Sequence, residues 1–163
     1  MAERQPRIRR MLRSSAVGVL IGFIAIQFFR PNPIVSSEIT HDFMATYSPP
    51  KWVAVSLRNA CYDCHSDETI RPWYGYVQPV GWLIDQHVEE GKAMLNFSSA
   101  GRYPRSKMVA KLDAIADVVE HEEMPPKSYA MLHPKAQLTK EQSKELSVWA
   151  EALRDELSSG KVP

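Results

Sequence analysis

Cysteine is nearly absent from this chain: two residues in 163, both inside one five-residue stretch. A disulfide scaffold of this size needs several bridges, so the fold has to rest on a hydrophobic core. Strand signals are missing too. No period-two alternation, no Asn-Gly hairpin signal and no internal repeat occurs, which removes sheet and solenoid architectures from the expectation. Any excess of positive charge is missing from the body of the chain. Arg4, Arg7, Arg9, Arg10 and Arg13 against Glu3 give the first 13 residues +4, leaving −3 for the rest of a chain whose net charge is +1. No phosphate-binding face exists beyond the tip, so nucleic acid is not an expected partner.

Long apolar runs are scarce as well, with one exception. The stretch from Ser14 to Phe29 is apolar apart from small residues and Gln27, and it stops at Arg30-Pro31. As a helix it would be about 24 Å long, short of the roughly 30 Å hydrocarbon layer unless Leu12 and snorkelling arginines extend it. A basic tip before a short apolar run also describes a secretory peptide, with Val35-Ser36-Ser37 as a small-residue cleavage site. The adopted reading is a transmembrane anchor over residues 1–30. No Ala-x-Ala follows the run closely, and Phe28-Phe29 beside Arg30 suits an interfacial helix end. The arginines keep the N-terminus cytoplasmic and place everything after Arg30 outside.

Residues 31–50 carry Pro31, Pro33, Pro49 and Pro50 without sustained periodicity and read as a linker. A domain is expected over 51–158, with a tail at 159–163. Ser48 is placed to cap a helix that begins at Pro49-Pro50 and continues through Val53, Leu57 and Cys61. After a loop with Trp73, Tyr74 and Tyr76, a second helix is expected from Pro79 to Leu95. Met108, Leu112, Ile115 and Val119 mark a third, from Arg105 to Glu122, ended by Met124-Pro125-Pro126. Thr139 and Gln142 form a capping box before a fourth, striped by Leu146, Trp149, Leu153 and Leu157 and expected to pack against the Val53–Leu57 helix. The fold class is therefore all-α, with four main helices.

Both cysteines sit in Cys61-Tyr62-Asp63-Cys64-His65. If Leu57 to His65 form one helix, Cys61, Cys64 and His65 project from one face within roughly 5–6 Å of their neighbours. One flat object could meet all three. C-x-x-C-H is the pattern of c-type haem attachment, in which the thiols become thioethers to two vinyl groups and the imidazole takes an axial position on iron. Three other readings compete. A structural zinc site wants four ligands, and no second cysteine pair exists. A redox dithiol would need a βαβ setting. The pair could also be inert thiols, bridged after export.

Met124, stiffened by the proline pair that follows, is the candidate for the opposite side of the iron; a thioether there raises the reduction potential and fills the sixth site. The alternative is a methionine packed in the core. His87 is a second candidate for that position, while His121 and His133 are weaker and His41 has no role. Trp73, Tyr74 and Tyr76 are placed to wall a porphyrin or to form core, and Arg71 to pair with a propionate.

Cys61-Tyr62-Asp63-Cys64-His65-Ser66, Pro72-Trp73-Tyr74, His87-Val88-Glu89-Glu90-Gly91, Asn96-Phe97-Ser98 and Met124-Pro125-Pro126 follow one another in an order that resembles the bacterial haem-binding domain family of cytochrome c-like proteins. The resemblance covers about residues 31 to 157, and Gln27-Phe28-Phe29-Arg30-Pro31 resembles the end of that family's N-terminal anchor. It implies a cytochrome c-like helical domain around one covalent haem c, attached through Cys61 and Cys64. It implies His65 as proximal ligand and Met124, at the family's Met-Pro position, as distal ligand. It also implies export, with the haem domain in the periplasm on a single-pass inner-membrane anchor. The expected function is electron transfer with redox partner proteins of the envelope, without enzyme activity. The alternative is a haem-based sensor or peroxidase-like enzyme with an open or exchangeable sixth position, where His121, Glu122 or Glu123 would handle protons. A tethered metal-binding interaction module is a third reading.

Overall fold

The computed structural model of the chain describes residues 4–29 and 41–161. Among these the elements are helices alone, eight α and three short 3-10 turns, so the all-α class holds. The first helix, α1 (Arg4–Ile26), starts inside the basic tip. Because Arg9, Arg10 and Arg13 are part of it, the uncharged portion from Ser14 to Ile26 is only about 20 Å long. No helix among the described residues is long and apolar enough to cross a membrane. The anchor expected over 1–30 is thus not met by α1 as it forms. Arg30 and the linker residues 31–40 lie outside the described residues.

The chain divides into two compact units. One joins the N-terminal segment to residues 71–86. There Gln27 donates from Nε2 to the Gln78 carbonyl at 3.1 Å and accepts the Gln78 N–H at 2.9 Å, while Trp82 donates from its indole to the Phe29 carbonyl at 3.1 Å. The end of α1 is thereby stitched to the loop before α5 (Val80–Met94). Arg71 is ion-paired with Asp85 and donates to the Gly75 carbonyl at 3.2 Å. Its guanidinium, expected free for a propionate, already has partners within its own unit. Trp73, 80% exposed, is not core.

The other unit, residues 41–70 and 87–161 among those described, holds the hydrophobic core. Residues 41–50, expected as linker, are part of it. Asp42 caps α2 (Phe43–Tyr47), accepting the Met44 N–H at 2.8 Å, and Phe43 is fully buried with its ring against Tyr47, Phe97 and Trp149. Ser48 does not cap the next helix. It takes the left-handed conformation (φ 44°) that ends α2, and α3 (Lys51–Ala60) starts at Pro50 with no side-chain cap. Val53, Leu57 and Ala60 carry α3 into the core.

The most extensive pairing joins α6 (Arg105–Glu120) to α8 (Lys140–Ser158), which brings Met108, Leu112, Ile115 and Val119 to Leu146, Ala150, Leu153 and Leu157. The α8 stripe was expected against α3; its main partner is α6. The capping box forms as expected, with Gln142 N–H on the Thr139 hydroxyl at 3.2 Å and Thr139 N–H on the Gln142 side chain at 2.9 Å. Leu112 is fully buried, so Leu112→Ala should cost about 2–5 kcal/mol in urea unfolding, while Thr139→Ala should cost about 1 kcal/mol. Equal small losses at both positions would contradict the α6–α8 core.

Candidate functional site

The Cys-x-x-Cys-His stretch forms where α3 stops. Cys61 has φ −124° and ψ −41°, which breaks the helix expected to run unbroken from Leu57 to His65, and α4 (Tyr62–His65) follows at once. Helical hydrogen bonding nevertheless crosses the break. Cys61 N–H reaches the Leu57 carbonyl at 2.9 Å, and the Cys61 carbonyl accepts from Cys64 at 3.1 Å and from His65 at 2.9 Å.

Two buried residues pin this turn. The Tyr62 ring stacks on Phe97 with centroids 4.9 Å apart, and its hydroxyl donates to the Asp42 carboxylate at 2.9 Å. Burial, then the Asp42 carboxylate, pushes the Tyr62 pKa up and keeps it a donor. Ser66, fully buried, donates to the Tyr62 carbonyl at 2.8 Å and accepts the Glu68 N–H at 2.9 Å. With 62 and 66 held inward, Cys61, Cys64 and His65 are left half-buried.

The His65 Nδ1 stands 3.2 Å from the Leu95 carbonyl. A carbonyl can only accept, so Nδ1 carries the proton and Nε2 keeps its lone pair, the tautomer that ligation through Nε2 requires. Burial pushes the imidazole pKa down, against the opposing pull of the Leu95 and Gly91 backbone. Gly91 on α5 explains how the helix comes so close. A Cβ there would lie 2.5 Å from the Cys64 carbonyl oxygen and 3.1 Å from its carbon.

The two thiols are free. Burial, then the neighbouring Cys64, pushes Cys61 up to about 12, and burial followed by the Asp63 carboxylate raises Cys64. Activated redox thiols and zinc thiolates need the reverse shift. Among the described residues no group of three or more His, Cys, Asp or Glu is placed to hold a bare metal ion. Two protonated thiols beside an imidazole with its Nε2 available do fit a flat macrocycle, bonded at its edge and ligated at its centre.

Met124 is not core: the residue is 38% exposed. The proline pair does not end α6, which stops earlier at Glu120. His121 caps it, Glu122 turns at φ 55°, and the Val118 carbonyl accepts from Glu123 at 2.9 Å and Met124 at 3.1 Å. After Pro126 comes α7 (Lys127–Leu132), and from it the Tyr129 hydroxyl donates to the Asp63 carboxylate at 2.7 Å. The structure therefore ties the segment of Met124 to the cysteine turn through Tyr129. Asp63 also accepts the Ile70 N–H at 3.2 Å. Of the other histidines, His41, His87 and His121 are exposed, while His133 stacks on Tyr129 at 4.0 Å. Neither Tyr129 nor Asp63 is singled out by sequence reasoning, since a tyrosine 66 positions from its carboxylate leaves no local signal.

Residues 21–152 match the haem-binding domain family, and the chain belongs to it. No curated protein and no solved structure matches the chain. This is an all-α haem-binding domain, and haem is the cofactor its family binds.

Gly91→Ala should push α5 off the turn, costing about 1–3 kcal/mol and lowering the haem incorporated per chain; unchanged stability and loading would disprove the close approach. In chain made without haem, His65 has a folded pKa below its unfolded value. The unfolded state then takes up the proton first, so stability should fall as pH drops below about 6.5. His65→Gln should flatten that part of the pH profile in urea titrations.

Proposed function

We propose that this protein is a single-haem c-type cytochrome that carries electrons outside the cytoplasm. The observation that carries the reading is the donor set of one turn: two free, protonated thiols and an imidazole whose Nδ1–H is engaged by the Leu95 carbonyl. Cys61 and Cys64 would add across two vinyl groups, each S–H giving its sulfur to one carbon and its hydrogen to the other. His65 would hold one axial position through Nε2, its ring orientation set by Leu95 and by the Phe97 edge at 6.5 Å. Bound haem supplies reversible one-electron iron chemistry. The chain's own part is to fix the ligands so that little rearranges when the charge changes. Met124 is the proposed sixth ligand, and its exposed thioether on a loop tied to the same turn supports that role.

A bacterial inner-membrane location, with the haem domain in the periplasm, is part of the proposal. It is supported by the arginine tip and the apolar stretch to Phe29, and by the fact that haem c is joined to its protein outside the cytoplasm. Since the uncharged portion of α1 from Ser14 to Ile26 is short, Leu12 before it and Phe28-Phe29 after it would have to complete the contact with lipid. Envelope redox proteins are the proposed partners. The competing reading, a sensor or peroxidase-like protein with an exchangeable sixth position, draws on the same exposure of Met124.

Protein produced in a haem-c-maturing host should show low-spin c-type bands that survive acid-acetone extraction, and Cys61→Ala with Cys64→Ala should release the colour. Met124→Ala should lower the midpoint potential by on the order of 0.1 V, a fraction of the roughly 0.8 V that axial ligands command. Colour extracted intact from the parent protein would end the c-type reading.

A further inference from the structure

The segment from Met124 to Ala136 is held in an unusual way. Its helix, α7, buries no residue. Met131 is 72% and Leu132 58% exposed, so apolar packing does not fasten it. At its start the Val118 carbonyl takes the Met124 N–H, and at its end Ala136, fully buried, sits in the 3-10 turn Pro134–Ala136 that packs on α3. Between these ends Tyr129 Oη donates to Asp63 Oδ2 of the cysteine turn at 2.7 Å. The other carboxylate oxygen, Oδ1, is held by the Ile70 N–H at 3.2 Å, and the Tyr129 ring is backed by His133 stacked at 4.0 Å. Donor and acceptor are thus both oriented before they meet. A hydrogen bond to a carboxylate is about twice as strong as a neutral one, and segments with few buried contacts open locally at low cost.

We propose that the Tyr129–Asp63 hydrogen bond is a latch that holds the Met124 segment closed, and that its opening sets how readily an outside ligand reaches the sixth position of the haem. The inference rests on the reading of His65 and Met124 as the axial pair. It assigns Asp63, between the two attachment cysteines, and Tyr129, five positions past Met124, as positioning residues. The latch ties the lightly held distal segment to the turn that carries the proximal ligand. Ligand exchange at the sixth position would then follow opening of α7 rather than unfolding of the α6–α8 core.

The test uses the haem-loaded full chain with Tyr129→Phe, which keeps the ring and its stacking and removes only the hydroxyl. Carbon monoxide binding to the ferrous protein should speed up about tenfold to a hundredfold, the range set by losing one charge-assisted hydrogen bond. The sulfur-to-iron(III) charge-transfer band should weaken, and amide hydrogen exchange over 125–133 should quicken by a similar factor. Asp63→Asn keeps one acceptor oxygen, replaces the other by an amide N–H group and removes the charge, so its effect should fall between parent and Tyr129→Phe. Thr139→Ala, which weakens α8 elsewhere, should leave the band, the carbon monoxide rate and the exchange over 125–133 unchanged. A Tyr129→Phe protein whose carbon monoxide rate and exchange stay within about twofold of a closed parent overturns the latch alone. A parent that already binds carbon monoxide freely and lacks the band overturns the axial reading, and the latch's role at iron with it.

Discussion

Tyr62 is the constraint on which the rest of the site depends. Its ring lies flat on Phe97 and its hydroxyl is bonded to Asp42, so one side chain joins α2, the start of α4 and the 3-10 turn Phe97–Arg102. It is also the residue directly after the first cysteine. Because a buried tyrosine at that position must point into the core, the residues around it in the turn are oriented by consequence. Cys61, Cys64 and His65 are left half-buried, and the kink at Cys61 is the form the backbone takes while Tyr62 is held inward. Removing the Asp42 carboxylate would leave a buried hydroxyl without its acceptor, a larger loss than the net worth of the bond.

Around that anchor, burial sets the protonation states. Desolvation raises both thiols and lowers the imidazole, so all three are neutral together. That is the condition for thioether formation and for nitrogen ligation, and the opposite of what a thiolate site needs. His65 leans on the Leu95 carbonyl, and Gly91 lets α5 meet the Cys64 backbone without an intervening side chain. The segment of Met124 is built differently, with a helix that has no buried residue and a hydrogen bond from Tyr129 to the turn.

Helix type and extent were legible in the sequence wherever the periodicity was strong. The Arg105 and Lys140 helices match their stripes closely, and the Thr139–Gln142 capping box formed as read. Reading failed where a residue's local preference was outweighed by tertiary packing. Ser48 looks like an N-cap but closes the preceding helix, because Phe43, with Met44 and Tyr47 beside it, draws α2 onto the core. Arg71 looks available for an anion but is taken by Asp85. The Met-Pro-Pro run looks like the end of α6, yet the helix stops at Glu120, with Glu122 in a left-handed turn.

The sequence by itself determined the all-α class, the haem-binding family and the cluster of two thiols and an imidazole, because covalent neighbours three and four positions apart need no tertiary structure to lie close. Only the tertiary structure decided which imidazole nitrogen is left for a metal, that the thiols stay protonated, and that Tyr129 reaches Asp63. Those depend on carbonyls, burial and a carboxylate brought together from distant parts of the chain, and no spacing rule encodes contacts made by packing.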